Sequence, residues 1–176
     1  MKKKMKINLP DWFGEYKFAT YKTQQEKMAL AIDLARQNVA NKTGGPFGAA
    51  IFLGDQLLAC GVNLVVREKL IILHAEIVAI IEASQNKNQN LAGCELITSV
   101  APCAMCLGAC GWANFARIIC GARDEDARAI GFDEGEKPDN WQVKFRLKGV
   151  EIIEDVLRDK SIEVLQNYKN NGGEIY

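Results

Sequence analysis

The chain has 176 residues, 48% hydrophobic and 25% charged, with 22 Lys and Arg balancing 22 Asp and Glu. That describes one globular domain over residues 1–176, large enough to bury a core and hold a small ligand. Zero net charge argues against a generally basic nucleic-acid surface, and no apolar run reaches the length of a membrane span. Six cysteines are too dilute for a disulfide scaffold, so a reduced, cytoplasmic setting is expected.

In chain order, the basic start Met1-Lys2-Lys3-Lys4-Met5-Lys6 looks like the n-region of a secretion signal. Pro10 and Asp11 break the chain before any apolar segment follows, so secretion is not expected. Apolar residues Met28, Leu30, Ile32, Leu34, Ala35 and Val39 predict a helix within residues 21–40, broken by Lys42-Thr43-Gly44-Gly45-Pro46. Runs from Phe47 to Leu53 and from Gln56 to Val62 flank the Gly54-Asp55 turn and predict a β-hairpin. A second helix is expected from about His74 to Glu82, then a third strand from Cys94. A helix from Cys103 to Ala113 and a fourth strand over Arg117–Ala122 come next. Asp124–Ile130 reads as a short helix ended by Gly131, and Phe132–Asn140 as an acidic loop. A fifth strand is expected from Val150 to Val156 and a last helix from Ser161 to Asn170. Alternating strands and helices predict a three-layer α/β/α domain, and the initial hairpin makes its five-stranded sheet mixed.

His74 is the single histidine of the chain, two residues before Glu76, and Pro102-Cys103-Ala104-Met105-Cys106 follows downstream. One imidazole and two thiolates suit tetrahedral zinc, one ion per subunit, with the fourth position left to water. Glu76 then serves as a base beside that water. Cysteines at the first turn of a helix can direct both sulfurs at one point, and the helix N-terminus favours thiolate. Pro102 suits a helix entry, where its missing amide costs nothing. Taken alone, Cys-x-x-Cys also fits a redox pair, and a further cysteine could close a purely structural zinc site.

Together these residues form the H-x-E…P-C-x-x-C pattern of zinc-dependent nucleobase deaminases. From about residue 25 onward the chain resembles the cytidine-deaminase-like superfamily, and within it the bacterial type of guanine deaminase. The resemblance rests on Gly44-Gly45-Pro46-Phe47-Gly48-Ala49-Ala50-Ile51, His74-Ala75-Glu76, Pro102–Ala109, Gly131-Phe132-Asp133-Glu134 and Tyr176. It implies hydrolytic deamination of guanine to xanthine and ammonia. His74, Cys103 and Cys106 would hold the metal, Glu76 would shuttle the proton and Glu134 would assist at the leaving amine. Phe47, Asn63, Ala75, Trp112 and Tyr176 would contact the base. In that family the C-terminal segment is exchanged between subunits, so a homodimer is expected, with Tyr176 arriving either from its own chain or from the partner.

Two departures stand out. Ala101 occupies a place that is usually Glu or another polar residue, which implies a change around the metal ligands. The stretch Gly135–Trp141 and the tail beyond it look longer than in the simplest members, and some longer relatives also deaminate the triazine ammeline. Neighbouring activities of the same motif are tRNA adenosine deamination and cytosine or cytidine deamination. A catalytically silent zinc scaffold would use the same ligands. The acidic 124–136 region and neutral net charge favour a small nucleobase over RNA, so neither a nucleic acid nor a membrane is an expected partner.

Overall fold

The computed structural model describes residues 7–16, 20–86 and 90–176, which leaves the basic Met1–Lys6 start outside the described residues. After a 3-10 turn at Asp11–Tyr16 comes helix α1, Gln24–Ala40. Thr23 caps it in a reciprocal box, its Oγ1 accepting the Glu26 amide while the Glu26 carboxylate accepts the Thr23 amide. Strands β1 (Gly48–Leu53) and β2 (Gln56–Val62) form the expected hairpin, turning at Gly54 with φ 57°. The remaining elements are α2 (Val65–Glu68), α3 (Ala75–Asn86), β3 (Glu95–Val100), α4 (Ala104–Ala113), β4 (Arg117–Ala122), α5 (Asp124–Ile130), α6 (Trp141–Leu147), β5 (Glu151–Ile153) and α7 (Arg158–Asn170).

The five strands make one mixed sheet in the order β2-β1-β3-β4-β5. Strand β1 is antiparallel to both neighbours, whereas β3, β4 and β5 run parallel. Alternate side chains split the core in two, as the period of a strand requires. Ala49, Ile51, Leu96, Ile118 and Cys120 face α3, α4 and α6, with Ala79, Leu107, Cys110 and Trp141 packed on them. Ala50, Phe52, Ile97 and Ile119 face the other way, toward Met28, Leu34 and Val164 of α1 and α7. The result is the three-layer α/β/α sandwich.

This topology gathers distant segments at one edge of the sheet. Gly48 pairs with Val62 and Ala49 with Thr98, so the start of β1 lies beside the ends of β2 and β3. Val100 pairs with Ala122, which brings the end of β4 to the same edge. In open α/β sheets the ligand sits beyond the carboxyl ends of the parallel strands. Helix α3 docks closely on β2, because a Cβ on Gly61 would meet the Ala75 carbonyl oxygen at 2.0 Å. That contact fixes the head of α3, and His74 with it, against the same edge.

Sequence and structure differ mainly in the last third and in the short elements. Helix α6 has no sequence signal because only Trp141 is buried, while Val143 and Leu147 face outward and blur the periodicity. Strand β5 spans three residues rather than seven, stopped by the left-handed Asp155 and Leu157. Helix α7 begins at Arg158, ahead of the expected Ser161, after Leu157, whose side chain makes no capping bond. Among the described residues no helix is long and apolar enough to cross a membrane.

Candidate active site

His74 sits immediately before α3, its carbonyl accepting the Val78 amide as the first bond of the helix. Cys103 is the N-cap of α4, with extended backbone, and Cys106 lies one turn inside. Two helix starts therefore converge on one spot, as β3 and the loop after β2 deliver them to the same edge. One donor atom from each of His74, Cys103 and Cys106 lies within 4.8 Å of the others. The Cys103 Sγ to His74 Nδ1 distance is 3.4 Å. Tetrahedral zinc with ordinary Zn–S and Zn–N bonds separates such a pair by about 3.6 Å, so the cluster already has the spacing of a zinc site. Three protein donors, rather than four, are what an open catalytic site offers.

The electrostatics agree with that spacing. Hydrogen bonding from Cys106, then from His74, outweighs burial at Cys103 and brings its thiol down to about 4. Cys106, which gives that hydrogen bond and is itself buried, is pushed up. Burial pulls His74 down, but the Cys103 hydrogen bond and the nearby acidic charges prevail and raise it. Thiolates are the form that binds a divalent cation, so metal binding would release thiol protons here. Glu76 is buried on the first turn of α3. One oxygen accepts from Thr98 Oγ1 at 3.4 Å and the other from Cys106 Sγ at 3.5 Å. Burial, then the Cys103 charge, raises its carboxyl.

A narrow cavity of about 70 Å³ opens over the cluster, lined by Phe47, Asn63, His74, Glu76, Val100, Ala101, Cys103, Phe132, Asp133, Glu134 and Tyr176. Asn63 is buried, and its Oδ1 accepts the Val65 amide at 3.1 Å. That bond orients the side chain so that its amide N–H groups are what it can offer a ligand. Phe47 meets Phe132 edge-on with ring centres 4.9 Å apart, and Phe132 meets Tyr176 at 5.2 Å. These rings form one aromatic wall. Glu134 is 6% exposed, and burial, then the Cys103 charge, pushes its carboxyl up to about 8. Tyr176 lies in the cavity of its own chain. Among the described residues its buried hydroxyl has no hydrogen-bond partner, and a Cβ on Gly45 would approach that oxygen to 2.5 Å. The glycine is what allows the ring to lie so deep.

The structure thus brings together eight of the ten residues singled out from sequence: His74, Glu76, Cys103, Phe47, Asn63, Glu134 and Tyr176 line the cavity, and Cys106 is buried just behind it. Two do not line it. Trp112 is 93% exposed near the far end of α4, on a helix face turned away from the sheet, and is no pocket wall of this chain. Its position relative to Cys106 suggested a wall, but six residues along a helix carry a side chain well round from the ligand face. Ala75 is fully buried, and its carbonyl faces Gly61 in the α3–β2 contact. Sequence reasoning missed Phe132, Val100, Ala101 and Asp133 as lining residues. Phe132 was legible within Gly131–Glu134, whereas Val100 and Ala101 reach the cavity through the end of β3, which carries no chemical signal.

The cytidine and deoxycytidylate deaminase zinc-binding region matches residues 21–122. The guanine deaminase of Bacillus subtilis (strain 168) is 39% identical over 105 residues, covering 59% of this chain and 67% of that protein. Among solved structures, the guanine deaminase from Nitrosomonas europaea superposes with a TM-score of 0.89 at 34% identity, covering 94% of this chain and 96% of the other. NE0047 in complex with 2,6-diaminopurine gives a TM-score of 0.91 at 35% identity, covering 97% and 95%. With a three-donor zinc cluster, a buried glutamate beside it and a match across more than half its length, this chain belongs to the cytidine and deoxycytidylate deaminase zinc-binding family.

Proposed function

We propose that the chain is a zinc-dependent aminohydrolase that converts guanine and water to xanthine and ammonia. The observation that carries this reading is the opening of the His74–Cys103–Cys106 cluster and of Glu76 into one small cavity walled by aromatic rings and by the Asn63 amide. The two solved relatives, one a guanine deaminase and one a complex with 2,6-diaminopurine, support a purine in that position.

His74, Cys103 and Cys106 would hold the zinc, which would supply Lewis-acid activation of a water near neutral pH. The chain's own groups do the rest. The Phe47, Phe132 and Tyr176 rings stack against and edge the flat base, excluding bulk water. Asn63 donates from its amide nitrogen to an acceptor on the purine, and the Tyr176 hydroxyl is free to do the same. Glu76 accepts the proton of the attacking water and passes it to the ring nitrogen, as general base and then acid. Glu134, buried and inclined to keep its proton, donates to the departing amine and recovers a proton from the new hydroxyl as that group becomes the carbonyl of xanthine. Two carboxyls in unlike surroundings are the arrangement that acid–base chemistry in one pocket requires.

The reading extends to organisation. The chain acts as a single domain over residues 1–176, with Tyr176 serving its own subunit. Six dilute cysteines, two of them at the metal cluster, suit a reduced, cytoplasmic setting. It pairs as a homodimer through the face of α4 and α6. There the exposed Trp112 lines a groove together with Gly108, Gly111, Phe145, Lys144 and Lys148. Mass measurement of the chain in solution checks this: Trp112→Glu should shift a dimer to monomer.

Ammonia release from guanine, ammeline, adenine, cytosine, their nucleosides and a tRNA anticodon stem-loop, measured side by side, tests the assignment. Guanine should give the highest kcat/KM, with ammeline second. A clear preference for the RNA or for cytosine would overturn it.

A further inference from the structure

Lys137 belongs to the acidic loop, three residues beyond Glu134, and its side chain is 7% exposed, unusual for a lysine outside any helix or strand. Its Nζ donates to the Pro102 carbonyl oxygen at 3.0 Å and pairs with Asp124 Oδ1 at 2.5 Å. Pro102 is the residue immediately before Cys103, and Asp124 is the first residue of α5. A single ammonium therefore ties the Glu134 loop to the turn that delivers Cys103 and to the start of α5. Further bonds fasten the loop around Glu134. The Ala104 amide donates to the Glu134 carbonyl at 2.9 Å, and Arg128 donates to the Gly135 carbonyl at 2.9 Å and pairs with Asp133 at 3.4 Å.

These ties are not equal. Arg128 and Asp133 are 43% and 85% exposed, so their ion pair is screened and contributes little. Lys137 is the buried one, and removing a buried charge partner costs far more than removing an exposed one. Burial pushes the Asp124 carboxyl up, but Lys137 and Arg128 outweigh it and hold it below the usual range, so Asp124 stays an anion for Lys137 to bind. The position before the Pro-Cys turn is Ala101, a small apolar residue that offers no side-chain hydrogen bond. The side-chain anchor on this turn comes from the loop that carries Glu134.

We infer that Lys137 is a positioning residue for turnover, holding the Glu134 carboxyl in register with the Pro102–Cys103 turn through its bonds to Pro102 and Asp124. The inference rests on the reading of Glu134 as the donor to the leaving amine. Misplacement of a reacting group by about 1 Å can cost on the order of 100-fold in rate, so an anchor one loop away has leverage on kcat.

A double-mutant cycle on the zinc-loaded enzyme tests this, with guanine as substrate and zinc content measured on every sample. Lys137→Met should lower kcat by about 10- to 100-fold while KM changes less than about threefold, with one zinc per chain retained. Lys137→Arg, which keeps the charge and the donors, should recover most of that loss. In a Glu134→Gln background, Lys137→Met should cost little more, because the group it positions has already been disabled. An equal loss in both backgrounds, or loss of zinc from Lys137→Met, would overturn the inference while leaving Glu134 in place. Wild-type turnover by Glu134→Gln would remove the reading of Glu134 and the inference with it.

Discussion

The two walls of the cavity are made in different ways. One wall, His74, Glu76, Cys103 and Cys106, stands on the first turns of α3 and α4, two helices packed on the sheet through Ala79, Leu107 and Cys110. The opposite wall, Phe132, Glu134 and Tyr176, comes from a loop and from the last residue of the sequence, fastened by Lys137, by the Tyr168–Phe132 stack and by the cradle at Gly45. The metal donors sit on the first turns of packed helices, whereas the loop wall, Glu134 included, depends on side-chain and backbone ties from outside any helix or strand to hold its place. The difference predicts that damage to the metal-holding helical wall abolishes chemistry outright, whereas damage to the loop wall acts on binding through Tyr176 and on proton delivery through Glu134.

The largest effect should follow removal of a metal donor. Cys106→Ala is expected to lose zinc and turnover together, and to lower the melting temperature, because the ion would otherwise clamp α3 to α4. Retention of one zinc by this variant, seen in metal analysis, would break the distinction between the walls. Chelation of the wild-type protein should reproduce the loss, with activity returning on zinc addition.

Changes at Tyr176, in the other wall, should be smaller and of another kind. Tyr176→Phe deletes a buried hydroxyl that lacks a partner among the described residues, so the free protein should be as stable as wild type or slightly more so. If that hydroxyl serves the substrate, KM for guanine should rise by about 3- to 10-fold, the worth of one hydrogen bond. Gly45→Ala should mimic it by a steric route, since its Cβ would stand 2.5 Å from the tyrosine oxygen. Unchanged KM in both variants would separate Tyr176 from substrate binding.

The smallest effect concerns what holds α7 in place, and so indirectly the segment leading to Tyr176. Arg158 at the head of α7 binds Asp126 of α5 at 2.9 Å, with Glu125 at the same distance. Burial pushes the Asp126 carboxyl up, but the Arg158 hydrogen bond and the Arg123 amide prevail and lower it. A carboxyl whose folded value lies below its unfolded value stabilises the fold above the unfolded value, about 3.9, and loses that contribution as pH falls through the folded one. Asp126→Asn should therefore lower the melting temperature modestly at pH 7, and the gap from wild type should close as pH falls through the lowered folded value. A gap independent of pH would assign the effect to packing instead.

Much of the helical wall was legible in the sequence because its chemistry is encoded by residue type. A lone histidine, a glutamate two residues on and a Pro-Cys-x-x-Cys can be read without knowing the fold. The hairpin and the parallel β3–α4–β4 unit were legible too, from the Gly54-Asp55 turn and the apolar runs around it. The loop wall was less so. Phe132 enters the cavity only because Gly131 ends α5 in a left-handed turn, and Lys137 reads as one more surface charge until its contacts with Pro102 and Asp124 are seen. Trp112 misled for the converse reason: its type suggests burial, yet its place on α4 faces solvent in the single chain. Helix α6 was invisible because exposed Val143 and Leu147 disguise its core-facing side.

The most direct measurement is zinc content and ammonia release from guanine on the same samples of wild type and Glu76→Gln. Glutamine keeps the shape of the side chain but cannot accept a proton. The account predicts one zinc per chain in both proteins and a loss of about 10²- to 10⁴-fold in kcat for the variant, the usual worth of a positioned proton shuttle. Turnover near the wild-type rate with zinc in place would contradict the assignment of the chemistry to the helical wall.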